Sequence, residues 1–129
     1  MADFVYNQAN GRGAEFANRV NNNDPTNAVL VLVVINTTET DGTLRDLDTL
    51  AAVLGNANTA EVTNTNYARQ TLDQSGGITV TVDDTNDRTD VDIPDLTFSS
   101  IAAGDAWTDL VVGYDSDSTG GDDTNVVPV

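Results

Sequence analysis

Ala28-Val29-Leu30-Val31-Leu32-Val33-Val34-Ile35 is an unbroken apolar run in which β-branched side chains predominate. A strand alternates its side chains between two faces, so a run that is apolar at every position describes a strand buried on both sides. It falls far short of the roughly 20 residues needed to cross a bilayer. The run is therefore expected to be the central strand of the core.

Working outward from it, residues 13 to 22 place Phe16 and Val20 four apart with Ala17 between them, the pattern of a short amphipathic helix. Asn21-Asn22-Asn23-Asp24-Pro25 ends that helix, because Asn and Asp compete for backbone hydrogen bonds and Pro cannot continue it. On the other side, Leu44, Leu47, Ala51 and Leu54 share one helical face with Leu50 beside them. Thr43 reads as the N-cap, Asp46 and Asp48 sit in a first turn that favours negative charge, and Gly55 supplies the stop. The spacing predicts one helix over 44–54.

Beyond Gly55 the period changes to two. Glu61 to Leu72 reads as one or two strands, Ile78 to Val82 alternates cleanly, and Asp83 to Asp87 is a turn leading into a hairpin partner over Thr89 to Ile93. Leu96 to Ile101 and Trp107 to Tyr114 read as further strands, followed by the Gly/Ser/Asp loop Asp115 to Asp123 and a last short run at Asn125-Val126-Val127. The expected fold is mainly β, a compact antiparallel sandwich or barrel-like sheet, with the 44–54 helix covering one side and a shorter helix near the N-terminus. Residues 1–129 are expected to form a single domain, with 1–10 as an extended anchoring arm.

The charge is lopsided: 21 acidic residues oppose 5 basic ones, all arginine, for a formal net charge of -16. From Asp73 onward thirteen carboxylates face only Arg88. Such a chain is repelled by nucleic acid and by anionic membrane, both of which are bound through Lys and Arg. The N-terminus lacks a basic region followed by an apolar stretch, so no secretory signal is expected.

Enzyme chemistry is narrowed by elimination. The chain has no His, Cys or Lys, which excludes a Cys-His pair, a Ser-His-Asp triad, a Schiff-base lysine and imidazole or thiolate metal ligands. Gly11-Arg12-Gly13 and Gly76-Gly77 lack the rest of a phosphate-binding pattern. Asp115, Asp117 and Thr119 followed by Gly120 resemble the opening of a calcium loop, but Val126 stands where the bidentate carboxylate belongs. The expectation is a solvated acidic loop, with no catalytic, cofactor or metal residue assigned. Tyr67, Arg69 and Thr71 alternate as one face of a polar ladder, and Trp107 is expected to pack with its indole N–H satisfied at a sheet edge.

Glu15-Phe16-Ala17-Asn18-Arg19-Val20, Asn23-Asp24-Pro25-Thr26-Asn27, Thr43-Leu44-Arg45-Asp46-Leu47-Asp48-Thr49-Leu50, Asn66-Tyr67-Ala68-Arg69-Gln70-Thr71-Leu72, Val82-Asp83-Asp84-Thr85-Asn86-Asp87-Arg88 and Asp92-Ile93-Pro94-Asp95 occur in that order. In order and spacing they resemble a family of small structural proteins of tailed bacteriophages. Similar chains continue past the equivalent of Val127-Pro128-Val129, a difference that bears on the pairing of the last strand. The resemblance implies a non-enzymatic virion protein made in the host cytoplasm: a decoration or minor capsid protein on the outer surface of the capsid. Its partners would be the major capsid protein or other virion proteins, with a homo-oligomer on the particle. A tail or baseplate component is the alternative within that class, and a carbohydrate-binding module using Trp107 and Tyr114 is the alternative outside it. Phe4, Tyr6, Arg12, Arg19, Arg45 and Arg69, all in the less acidic half, are the expected partner contacts.

Overall fold

The structure, a computed structural model, describes residues 3–129. A 3-10 turn at Asn7–Ala9 leads into α1 (Gly13–Asn21), and the apolar run forms β1 (Val29–Thr37). Next come α2 (Asp41–Arg45), α3 (Leu50–Leu54), β2 (Thr59–Glu61), β3 (Gln70–Leu72), β4 (Thr79–Asp83), β5 (Arg88–Asp92), β6 (Asp109–Asp115) and β7 (Val127–Pro128). All pairings are antiparallel. The fold is mainly β, and its main sheet curls into a half-barrel.

β1 is the centre of that five-stranded sheet. One edge takes β2 opposite Ile35–Thr37 and β3 opposite Leu30–Leu32, while the other takes the whole of β6, with β7 beyond it. The alternation of β1 divides the core into two. Leu30 and Leu32, with Leu72, Val112 and Tyr114 beside them, meet Phe16, Ala17 and Val20 of α1. Val31, Val33 and Ile35, with Val111, meet Leu44, Leu50, Val53 and Tyr6. Burying each such side chain contributes about 1.5–3 kcal/mol, which is why a run apolar on both faces organises the molecule. The β4–β5 hairpin forms a separate two-stranded sheet beside α1. Its turn is closed by Asp83, whose carboxylate accepts from the Thr85 and Asn86 amides.

Four expectations need correcting. The 44–54 helix is two helices: Thr40, not Thr43, caps α2, and Thr49 caps α3. The break has a tertiary cause, because the Leu50 and Ala51 amides donate to the carbonyls of Val126 and Asp123. A continuous helix would have turned those amides inward. Leu96 to Ile101 is not a strand; the segment is held by the Asn66 side chain donating to the Ser100 carbonyl and by the Ala102 amide donating to Thr65. Strand structure between Glu61 and Leu72 is confined to its two ends. Residues 3–10 are no extended arm either, since Tyr6 and Ala9 are buried in the two halves of the core; Met1 and Ala2 lie outside the described residues. Asn7 and Gln8 donate side-chain hydrogen bonds to Asp46 and Asp48, fastening this segment across the inter-helix link.

Candidate functional site

Polar groups converge where the chain leaves β2 and returns as β3. Because both strands pair with β1, residues 62–69 arch over its edge, leaving Val34 between the two short ladders. The Val34 amide donates to the Tyr67 hydroxyl at 3.0 Å and its carbonyl accepts from the Val62 amide. Tyr67 in turn donates to Glu61 at 3.0 Å. Burial pushes the Tyr67 phenol up to about 12.

Arg69 lies against the same carboxylate. Its Nε and Nη2 donate to Glu61 at 2.9 and 2.6 Å, and its Nη1 and Nη2 donate to Asp123 at 2.6 and 2.8 Å. Hydrogen bonds donated to Asp123 first and Glu61 second hold the guanidinium above its ordinary range. One planar fork thus joins β2 to the acidic loop after β6, the geometry for which Arg is better suited than Lys. Both faces of the fork are already taken by carboxylates of the same chain, so the cluster acts as a clamp.

The acidic loop spends its oxygens locally. Asp115 accepts from the Asp117 amide, Asp117 from the Thr119 amide and hydroxyl, and Asp122 from the Thr124 amide and hydroxyl. These bonds hold Asp117 and Asp122 below the usual carboxylate range. Among the described residues no group of three or more acidic side chains is arranged to hold a metal ion. Adding millimolar calcium, or a chelator, is expected to move the melting temperature by less than about 1 °C, since only binding to the native state would raise it. A calorimetric scan with and without the ion checks this.

An aromatic patch lies beside the clamp. Phe98 stacks on Tyr67 with centroids 5.9 Å apart, and Trp107 meets both edge-on at 5.5 and 6.1 Å. The indole N–H donates to Asn64 Oδ1 at 3.1 Å, yet Trp107 remains 41% exposed. Tyr114, by contrast, is buried and stacked on Phe16.

The six residues expected to contact a partner do not form one face. Phe4, Tyr6 and Arg45 come together near α2, with the Arg45 guanidinium 5.6 Å from the Phe4 ring centre and Phe4 5.1 Å from Tyr6. Arg12 and Arg19 belong to the α1 side of the sheet, both paired with Glu15 at 3.0 Å. Arg69 is held in the clamp. Tyr6 is only 4% exposed, so it is a core residue and not a docking anchor. The pattern missed Glu61, Asp109 and Asp123 as the partners that matter, because nothing local distinguishes them from other acids.

Burial and then the charge of Asp109 push the Tyr6 phenol up to about 12. A phenol whose folded pKa exceeds its unfolded value near 10 adds stability that is complete below pH 10 and lost as pH rises toward 12. The domain is therefore expected to lose stability over that window, by up to about 3 kcal/mol for Tyr6. Urea unfolding at stepped pH checks it, and Tyr6→Phe should flatten the decline. Comparison with protein-family models, with curated proteins and with solved structures gives no match.

Proposed function

We propose that this protein is a non-enzymatic structural component of a tailed-phage particle, a decoration or minor capsid protein on the outside of the shell. The ordered sequence strings that resemble small phage structural proteins suggest the class. The observation that carries the reading is the disposal of charge. Arg12 and Arg19 are tied to Glu15, Arg69 to Glu61 and Asp123, and Arg88 to Asp83 and Asp90. Most of the remaining carboxylates meet solvent, and among the described residues Arg45 is the one arginine without a carboxylate partner, in a chain of net charge -16. Packaged DNA is a dense polyanion, so this charge favours the outer surface, where water and counterions screen it. The polar cluster at Arg69 supports a mechanical role, since its donors are spent on fastening a loop.

Imaging of purified particles tests the proposal: density for this half-barrel is expected on the outer face of the shell, against the major capsid protein. Density on the inner wall or on the tail, or particles that lack the protein, would overturn it. A carbohydrate-binding module at the particle surface is the second reading, favoured by the exposure of Trp107 beside Phe98 and Tyr67. Quenching of the single Trp fluorescence by host-surface glycans would favour it.

A further inference from the structure

The aromatic patch and a polar groove are built from the same two segments of chain. Trp107 turns its only polar side-chain atom, the indole N–H, to Asn64 Oδ1 at 3.1 Å, so the indole meets solvent through carbon alone. Asn64 is 8% exposed and is itself fixed, its Nδ2 donating to the carbonyls of Ala102 and Asp105 at 3.1 and 3.3 Å. Gly104 leaves room for that amide, because a Cβ there would come within 2.9 Å of Nδ2. With Phe98 and Tyr67 also packed against it, Trp107 is held in one orientation and still 41% exposed. Thr63 precedes Asn64 and Asp105 lies two places before Trp107, and both line a groove of about 450 Å³ whose other polar walls are Asn36, Asn58, Thr59 and Glu61. Asp105 spends Oδ2 on the Thr63 amide and hydroxyl at 2.6 and 2.8 Å, bonds that hold its carboxyl below the usual range. Its Oδ1 and the side-chain amide of half-buried Asn36 make no hydrogen bond among the described residues.

We propose that Trp107 and this groove form one binding site for an uncharged oligosaccharide, with a pyranose ring against the indole and the hydroxyls of the adjoining sugar hydrogen-bonded to Asp105 and Asn36. A pyranose has an apolar C–H face and a rim of hydroxyls, which an aromatic carbon surface beside a few fixed polar groups complements. An ionised carboxylate accepts hydroxyl hydrogen bonds more strongly than a neutral group does, and a side-chain amide both donates and accepts, as a sugar hydroxyl does. Holding the indole in advance spares binding the cost of ordering it. The net charge of -16 selects against sugars that carry carboxylate, sulfate or phosphate. This assignment rests on the carbohydrate-binding reading of the patch, to which it adds the site and the sugar class, and it holds whether or not the protein coats a particle.

Titration of the full chain with three neutral trisaccharides, of β-1,4-linked N-acetylglucosamine, β-1,4-linked glucose and α-1,4-linked glucose, and with anionic trigalacturonate tests it. Fluorescence of the single Trp and amide NMR shifts are the two readouts. At least one neutral trisaccharide is expected to bind with Kd below about 1 mM, shifting the Trp107 indole N–H together with the Asn36, Thr63 and Asp105 amides, and trigalacturonate to bind about tenfold more weakly or not at all. Trp107→Ala should weaken the neutral sugar by about tenfold. Asp105→Asn, which keeps the shape and the bonds from Thr63, should weaken it by about fivefold while the rest of the amide spectrum stays in place. Tighter or equal binding of trigalacturonate, shifts confined to residues outside the groove, or affinity untouched by Asp105→Asn would each overturn this site while leaving a carbohydrate-binding protein. Absence of binding by all four sugars at about 10 mM would overturn both.

Discussion

Val33→Asp is expected to leave the chain unable to fold. Val33 is 0% exposed, at the middle of the central strand, pairing with Val111 and packed among Leu44, Leu50 and Val53. All five arginines lie elsewhere, so a carboxylate there has no counterion within the core. An unpaired buried charge costs several kcal/mol even after relaxation, against a total stability of about 5–15 kcal/mol for an ordinary domain. Circular dichroism and urea unfolding should give an aggregated or uncooperative chain. Val82→Asp provides the contrast: Val82 is 70% exposed on the β4–β5 hairpin, and its replacement should change stability by less than about 0.5 kcal/mol. A soluble, cooperatively unfolding Val33→Asp protein would remove the claim that β1 is buried on both faces.

What was legible in the sequence was whatever local chemistry decides. Eight apolar residues in a row announced β1, Phe16 and Val20 announced α1, and Asp83 to Asp87 announced a hairpin because Asp and Asn cap their own backbone. The misreadings share one cause: a partner distant in the chain. Leu44, Leu47, Ala51 and Leu54 do keep helical spacing, but Val126 and Asp123 capture the amides at Leu50 and Ala51 and start a second helix there. Tyr6 looked like a free anchor because nothing in its neighbours reveals that Val31, Val33 and Val111 will surround it. The Arg69 clamp was the least legible feature, since its second carboxylate lies 54 positions away among many similar acids.

That clamp carries the second large effect. Arg69→Met keeps the side chain's length and apolar stem but removes the charge, leaving Glu61 and Asp123 facing each other without a cation. Deleting one member of a fully buried pair costs about 3–5 kcal/mol, because the survivors stay desolvated. Here the Arg69 side chain is 31% exposed, so water recovers part of that loss and about 2 kcal/mol is expected. For a domain of this size that corresponds to a fall of about 8 °C in melting temperature. Arg69→Lys should fall between the two, since one ammonium cannot serve two carboxylates in bidentate fashion. Urea unfolding gives the magnitude, and limited proteolysis gives the location. Because Asp123 is the tie between β2 and the loop that also caps α3 through its carbonyl, cleavage within Asp115 to Thr124 should accelerate before the β4–β5 turn does. The variant Arg69→Met with Glu61→Gln and Asp123→Asn separates charge from shape: relieved of repulsion, it should regain at least half of the lost stability. If Arg69→Met instead unfolds at the wild-type urea concentration and its loop is cut no faster, the acidic loop is held by its backbone bonds to Leu50, Ala51 and Asn27, and the arginine adds nothing to the fold.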